Sequence, residues 1–362
     1  MQDPNTHLII MAGGIGSRFW PFSRRNYPKQ FQDILGTGKS LLQQTVKRFE
    51  PVCKPENMYI VTNQDYKDLV KEQLPNFSDD QILLEPFLRN TAPCIAYASY
   101  KIKSKNPEAN IVVTPSDHVI LDTYSFIDKL IVALDAAKYS DKIVTLGIKP
   151  TRPDTGYGYI QSEESKRGKG NVKKVRLFTE KPNLEMAKSF LESGDFVWNA
   201  GIFIWNVQTI ASAFDKYLNE ISEAFEDMKD DFYTKNEAKS LEKAYSQFHG
   251  ISIDYGIMEK ADNVFVVPCD CGWSDLGTWK SLHEQAQKDK NKNVITGNVM
   301  AYNTKNSIIK ISSKDRLAVV QGLDNFIVAD HDGVLLICHK DQEQRIKEFL
   351  ETVKKTKDEK FT

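Results

Sequence analysis

The first half of the chain alternates short apolar runs with stretches of helical periodicity. Residues 7–11, 57–62, 109–114 and 142–146 read as buried strands. Between them, residues 41–49, 66–73, 92–103 and 126–138 carry apolar side chains at helical spacing. This alternation predicts an α/β fold with a Rossmann-like, mixed but mainly parallel sheet flanked by helices. Ligands of such sheets gather beyond the carboxyl ends of the strands. Gly13, Gly14, Gly16, Ser17 and Arg18 follow the first run, and Asp117 and His118 follow the third.

The pattern then changes. A strand over 172–179, a short helix after Pro182, a strand over 200–205 and charged helical sequence over 207–247 precede a further strand at 264–267. From Asn293 onward, short alternating strands at 294–301, 307–311, 317–321, 325–329 and 334–338 are separated by polar turns such as Asn303-Thr304-Lys305-Asn306. An amphipathic helix over 342–354 closes the chain, and the regular strands resemble one side of a short β-solenoid. Two domains are expected: a catalytic one over 1–284 and a small β-rich one over 285–362. Strand edges in the second are safer paired or covered than free, which predicts that it packs on the first and contributes to a homodimer.

Composition narrows the function. With 48 Lys and Arg against 49 Asp and Glu, the formal net charge is -1, so no basic field exists to hold nucleic acid or an anionic membrane, and any phosphate binding is local. The five cysteines are scattered without paired CxxC spacing, which argues against a zinc site and for reduced thiols. The start lacks the pattern of a signal peptide and no apolar run approaches a membrane span, so a cytoplasmic protein is expected.

Gly13, Gly14 and Gly16, followed by Arg18, Arg24, Arg25 and Lys29, outline a polyphosphate cradle: glycines let backbone N–H groups approach phosphate oxygens, and cations neutralise their charge. A dinucleotide fingerprint fails on spacing because Phe19 stands where its third glycine belongs. A Walker A loop ending in Gly38-Lys39-Ser40 fails because Asp33 stands where its first glycine belongs, and Ser40 serves better as a helix cap.

Several ordered motifs make the chain resemble the sugar-phosphate nucleotidyltransferases, and among them the mannose-1-phosphate guanylyltransferases. They are AGGIGSRFWPFSRRNYPKQF, EPFLRNTAPCIA, PSDH, GYGYI, FTEKP, WNAGIFIW, SIDYGIMEK and GWSDLGTW, spread over residues 8 to about 280. The resemblance implies magnesium-assisted attack of mannose 1-phosphate on the α-phosphorus of GTP, giving GDP-mannose and pyrophosphate without a covalent enzyme intermediate. It implies that Asn90, with backbone groups near Ala12, Gly13 and Gly14, lies at the nucleobase, and that Gly16, Ser17 and Thr91 join the nucleotide site. It also implies that Tyr157, Gly158, Asn199 and Gly201 form the sugar pocket, with Glu180 on the sugar hydroxyls and Lys181 on its phosphate. Ala200 stands where many members have serine, which removes one hydroxyl contact.

Chemistry assigns the remaining roles. Arg18 and Lys29 are candidates for gripping the β- and γ-phosphates, where charge builds as pyrophosphate leaves. Arg24 and Arg25 are open between assisting them and being ordinary surface cations. Asp117 and Asp275 are the expected magnesium ligands, because Mg²⁺ takes a few carboxylate oxygens with water and phosphate. A phosphate oxygen is already anionic, so His118 is a structural partner rather than a base. Transfer to another hexose 1-phosphate or from another nucleotide is the near alternative, and a non-catalytic nucleotide-sugar sensor the distant one. Too few residues follow the β-rich part for the phosphomannose isomerase domain fused to some such enzymes, so isomerase activity is not expected.

Overall fold

The computed structural model describes residues 2–163 and 171–362. The chain forms two compact units, each assembled from separate stretches: Met1–Gly13, Val46–Ser116 and Ile120–Trp273 in one, Gly14–Thr45, Asp117–Val119 and Ser274–Thr362 in the other.

The first unit is built on nine strands: β1 (Thr6–Met11), β2 (Met58–Asn63), β3 (Ile82–Glu85), β4 (Asn110–Pro115), β5 (Ile143–Ile148), β6 (Gly158–Ser162), β7 (Lys173–Glu180), β8 (Phe196–Asn206) and β9 (Val264–Cys269). They join in the order β3-β2-β1-β4-β8-β5-β9-β7-β6. The first four run parallel, as does β9 beside β5. The long strand β8 enters antiparallel between β4 and β5, which makes the sheet mixed. Continuous apolar runs give strands buried along almost their whole length, as in β1, β2, β4 and β5. The charged stretch after β8 becomes three helices, Val207–Tyr217, Asn219–Asp227 and Glu237–Ser246, which bury Phe214, Phe225 and Tyr245 in the same core. Among the described residues, no helix is long and apolar enough to cross a membrane, and none of the five cysteines forms a disulfide.

The second unit contains β10 (Val294–Thr296), β11 (Val299–Tyr302), β12 (Ile308–Ile311), β13 (Ala318–Gln321), β14 (Phe326–His331) and β15 (Val334–His339). Parallel stacking of β10, β12 and β14, and of β11 on β13, gives the expected solenoid-like coils. The single strand expected over 294–301 is two, because the chain turns at Gly297. The core of this unit draws on an unexpected source. Phe19, Trp20 and Phe22, just beyond the glycines, pack with Trp279, Leu282, Ile308, Ile327, Ile346 and Leu350. Ring centroids are 5.3 Å apart for Phe19 and Trp279, and 4.7 Å for Phe22 and His331. Apolar burial gathers the glycine-rich loop and the tail into one compact unit.

Arg24 is part of that body. Its buried guanidinium donates to the carbonyl oxygens of Pro21 (3.1 Å), Lys360 (2.7 Å), His331 (2.9 Å) and Asp332 (3.0 Å) and to the Asp332 carboxylate (3.1 Å). No donor remains for a phosphate, whereas Arg25 is exposed. Arg24→Ala should lower stability by about 3 kcal/mol, since four carbonyls, most of them partly buried, lose a charged donor together. Thermal unfolding checks this, with Arg25→Ala expected to leave the midpoint within a degree or two.

Candidate functional site

In the second unit, a cavity of about 260 Å³ is lined by Gly16, Ser17, Arg18, Lys29, Asp117, His118, Asp275, Gly277 and Lys347. Gly16 turns the loop with φ +71°, and a Cβ there would lie 2.6 Å from Cβ of Lys29, so only glycine lets the loop close on that lysine. A short 3-10 turn, Ser17–Phe19, follows, and Phe19 anchors it by full burial. That anchor holds Arg18 at the cavity, where its Nε is buried without a hydrogen-bond partner.

Lys29 lines the same cavity from a buried position. Its side chain is 4% exposed, and its ammonium reaches the Asp117 carboxylate at 2.7 Å and the carbonyl oxygens of Asp275 and Leu276 at 2.9 and 3.0 Å. Three donors meet three acceptors. Lys29 therefore fixes Asp117 and the backbone of the 275–276 turn, in which Gly277 N–H also bonds the Asp275 carboxylate at 3.1 Å. Burial pushes the Asp117 carboxyl up, but the Lys29 ammonium and His118 outweigh it and hold Asp117 below the ordinary carboxylate range. Asp117 stays ionised and a third of its side chain is exposed.

Asp117 and Asp275 thus line one cavity with phosphate-seeking cations, a donor set that fits Mg²⁺, which completes its shell with water and phosphate oxygens. Among the described residues no cluster of three or more His, Cys, Asp or Glu forms a protein-only cage. Lys347 is a cavity residue that sequence reasoning missed; it comes from the tail helix Ile346–Thr356 and carries no local motif.

The first unit holds the residues expected at the base and the sugar. The Ala12 carbonyl accepts from Thr62 Oγ1 at 2.8 Å, which secures the chain entering the glycine loop. Asn90, with φ +71°, caps the helix Thr91–Lys105 through the Thr91 N–H at 2.9 Å, and Thr91 Oγ1 accepts from the Ile253 N–H at 2.9 Å. Glu85 closes β3 facing Gly13: a Cβ on Gly13 would meet its Oε2 at 3.8 Å. Its other oxygen accepts from the Tyr245 hydroxyl at 3.0 Å. Burial pushes the Glu85 carboxyl up to about 8. In the sequence Glu85 stands only as the first letter of a motif; its burial is a tertiary property.

The sugar candidates come together on adjoining strands, where Gly158 pairs with Glu180 and Gly147 with Asn199. A side chain on Gly158 would collide with the Glu180 carboxylate, 2.5 Å from its Cβ. Glu180 is buried, and Lys181, at φ +48°, returns its ammonium to Glu180 at 2.6 Å. Asn199 is largely committed: its oxygen accepts from Thr145 Oγ1 (2.9 Å) and the Gly201 N–H (3.2 Å), and its amide donates to Asp254 at 2.9 Å. Tyr157 packs edge-on against Trp198 and Trp273, with centroids 5.0 and 5.4 Å away. Asp254, at the start of a π-helical turn over Asp254–Met258, is another residue the sequence reading did not single out. Burial and the neighbouring Glu180 raise it to about 7, against the lowering charge of Lys181, which itself pairs with Glu180.

Comparison with known proteins joins these observations. The nucleotidyl transferase family model matches residues 7–292, and a mannose-phosphate isomerase/GMP-like β-helix domain model matches 297–353. A mannose-1-phosphate guanylyltransferase of Escherichia coli is 34% identical over 350 residues, covering 95% of this chain and 74% of that protein. The alginate biosynthesis protein AlgA of Pseudomonas putida is 36% identical over 354 residues, covering 95% and 71%. The crystal structure of a Thermus thermophilus protein described as a mannose-1-phosphate geranyltransferase superposes with a TM-score of 0.87 at 31% identity, covering 97% of this chain and 99% of that one. A family model spanning most of the chain and relatives 34% and 36% identical over nearly all of it show that the chain belongs to the nucleotidyl transferase family, among the mannose-1-phosphate guanylyltransferases, and is an enzyme of that kind.

Proposed function

We propose that this enzyme transfers the guanylyl group of GTP to α-D-mannose 1-phosphate, releasing pyrophosphate and forming GDP-mannose. The observation that carries the reading is the cavity in which Arg18, Lys347, Asp117 and Asp275 meet, a charge pattern suited to a polyphosphate with a divalent cation. Relatives named for mannose 1-phosphate and guanylyl transfer support the choice of substrates.

A phosphate oxygen of the sugar forms a bond to the α-phosphorus while the bond from that phosphorus to the bridging oxygen of the β-phosphate breaks. Charge accumulates on the departing pyrophosphate, so a fixed cation such as Arg18 gains more in the transition state than in the ground state. Mg²⁺ held by Asp117 and Asp275 would neutralise phosphate charge and polarise the phosphorus. Lys29 keeps Asp117 ionised and aimed. Lys181 takes the acceptor phosphate, and Glu180 and Asp254 take sugar hydroxyls, acting as oriented acceptors.

Glu85 supplies the preference for guanine. Guanine presents two adjacent N–H donors on its pairing edge, which suit a carboxylate; uracil presents one and adenine sets its donor beside an acceptor. Glu85 Oε2 accepts no hydrogen bond among the described residues, so it is available to that edge.

Pyrophosphate release measured across a matrix of nucleoside triphosphates and sugar 1-phosphates with magnesium should be fastest for GTP with mannose 1-phosphate. A higher kcat/KM for UTP or dTTP with glucose 1-phosphate, or no release at all, overturns the reading. The Glu85 assignment gives a pH signature. With its carboxyl raised to about 8, the free protein is protonated there at neutral pH, and a donor edge binds the ionised form. GTP affinity should therefore weaken as pH falls below about 8, by up to roughly tenfold per pH unit for one linked proton. Glu85→Gln should raise the KM for GTP and flatten that dependence; an unchanged slope in the variant contradicts the assignment.

A further inference from the structure

We propose that Lys347, on the closing helix of the β-rich tail, is a direct ligand of the β- and γ-phosphates, so the tail is a working part of the nucleotide site. The inference rests on the guanylyl-transfer reading for its reaction, but its chemistry needs only a polyphosphate.

Lys347 lines the same cavity as Arg18, Asp117 and Asp275. Its position is fixed from below: Ile346 is fully buried and Leu350 nearly so, both in the aromatic core that also holds Phe19. One core thus anchors Arg18 through Phe19 and Lys347 through Ile346. Neither cation has an ion-pair partner among the described residues, and Arg18 Nε is buried without any acceptor. The nearby Arg18 charge is the leading cause that lowers the Lys347 pKa, which is the mark of two cations held together. The remaining cation, Lys29, is spent on Asp117 and two carbonyls. Glu343, the nearby carboxylate that feels the Arg18 charge, is buried and accepts from the Lys280 backbone N–H at 2.8 Å, and it forms no ion pair with either cation among the described residues. Repelling cations around an orphaned donor, beside two aspartates able to share a metal, call for an anion with several oxygens.

The test is calorimetric titration of pyrophosphate with magnesium into the full chain, alongside steady-state kinetics. Lys347→Gln should weaken pyrophosphate binding on the order of tenfold to a hundredfold, the scale of one charge-assisted hydrogen bond. The KM for GTP should rise by a similar factor, while that for mannose 1-phosphate stays unchanged. Lys347→Arg should restore most of the binding and Lys347→Glu should abolish it. Lys355→Gln, on the same helix but outside the cavity, should behave as wild type. Lys347 is exposed, so these variants should keep the wild-type thermal midpoint. Wild-type pyrophosphate affinity in both the Gln and Glu variants overturns the proposal. Loss of pyrophosphate binding with a different preferred nucleotide in the wild type would instead uphold Lys347 and overturn the choice of GTP.

Discussion

The ammonium of Lys29 is the pin of the second unit's cation-and-aspartate cavity. It joins three segments remote in sequence: the glycine-rich loop to which it belongs, the turn carrying Asp117, and the turn carrying Asp275. A buried ammonium is costly unless every donor is satisfied, and here each has an acceptor. The same contacts keep Asp117 ionised in a partly enclosed setting, as the proposed Mg²⁺ role would require. Gly16 matters because any side chain there would displace this lysine.

Carboxyl groups of the same chemistry are driven apart by their surroundings. Asp117, beside Lys29, is held below the usual range, while Asp254 and Glu85, buried with less compensation, rise to about 7 and about 8. Separated titrations divide labour among carboxylates: one stays charged near neutral pH, and two respond to what binds them. In the proposed reaction the Glu180-Lys181 pair would open, the ammonium turning to the acceptor phosphate and leaving Glu180 to the sugar hydroxyls.

Much of this was legible in the sequence because strands β1, β2, β4 and β5 announce themselves as continuous apolar runs and the motif residues lie at their carboxyl ends. The four-residue β3 and the five-residue β6 were missed, being too short to show a period. β8 begins at Phe196 rather than 200, because Trp198 and Asn199 resemble turn chemistry while their backbones pair with β5 and β6. Charge and spacing found Arg18, Lys29, Asp117 and Asp275, but could not tell that Lys29 spends its donors on the protein or that Arg24 is structural. Glu85, Asp254 and Lys347 were invisible for a common reason: each is set apart only by burial or by neighbours distant along the chain.

A double-mutant cycle on turnover, combining Lys29→Met with Asp117→Asn, tests most directly whether Lys29 acts through Asp117. Each single change should slow turnover by at least about a hundredfold, the scale of a lost electrostatic transition-state contact. If the lysine works by holding the aspartate, the double variant should be within about threefold of the slower single variant, because residues acting as a unit lose their effect once. Losses that multiply, to about ten-thousandfold, would mean that Lys29 contacts the substrate independently and would contradict the account.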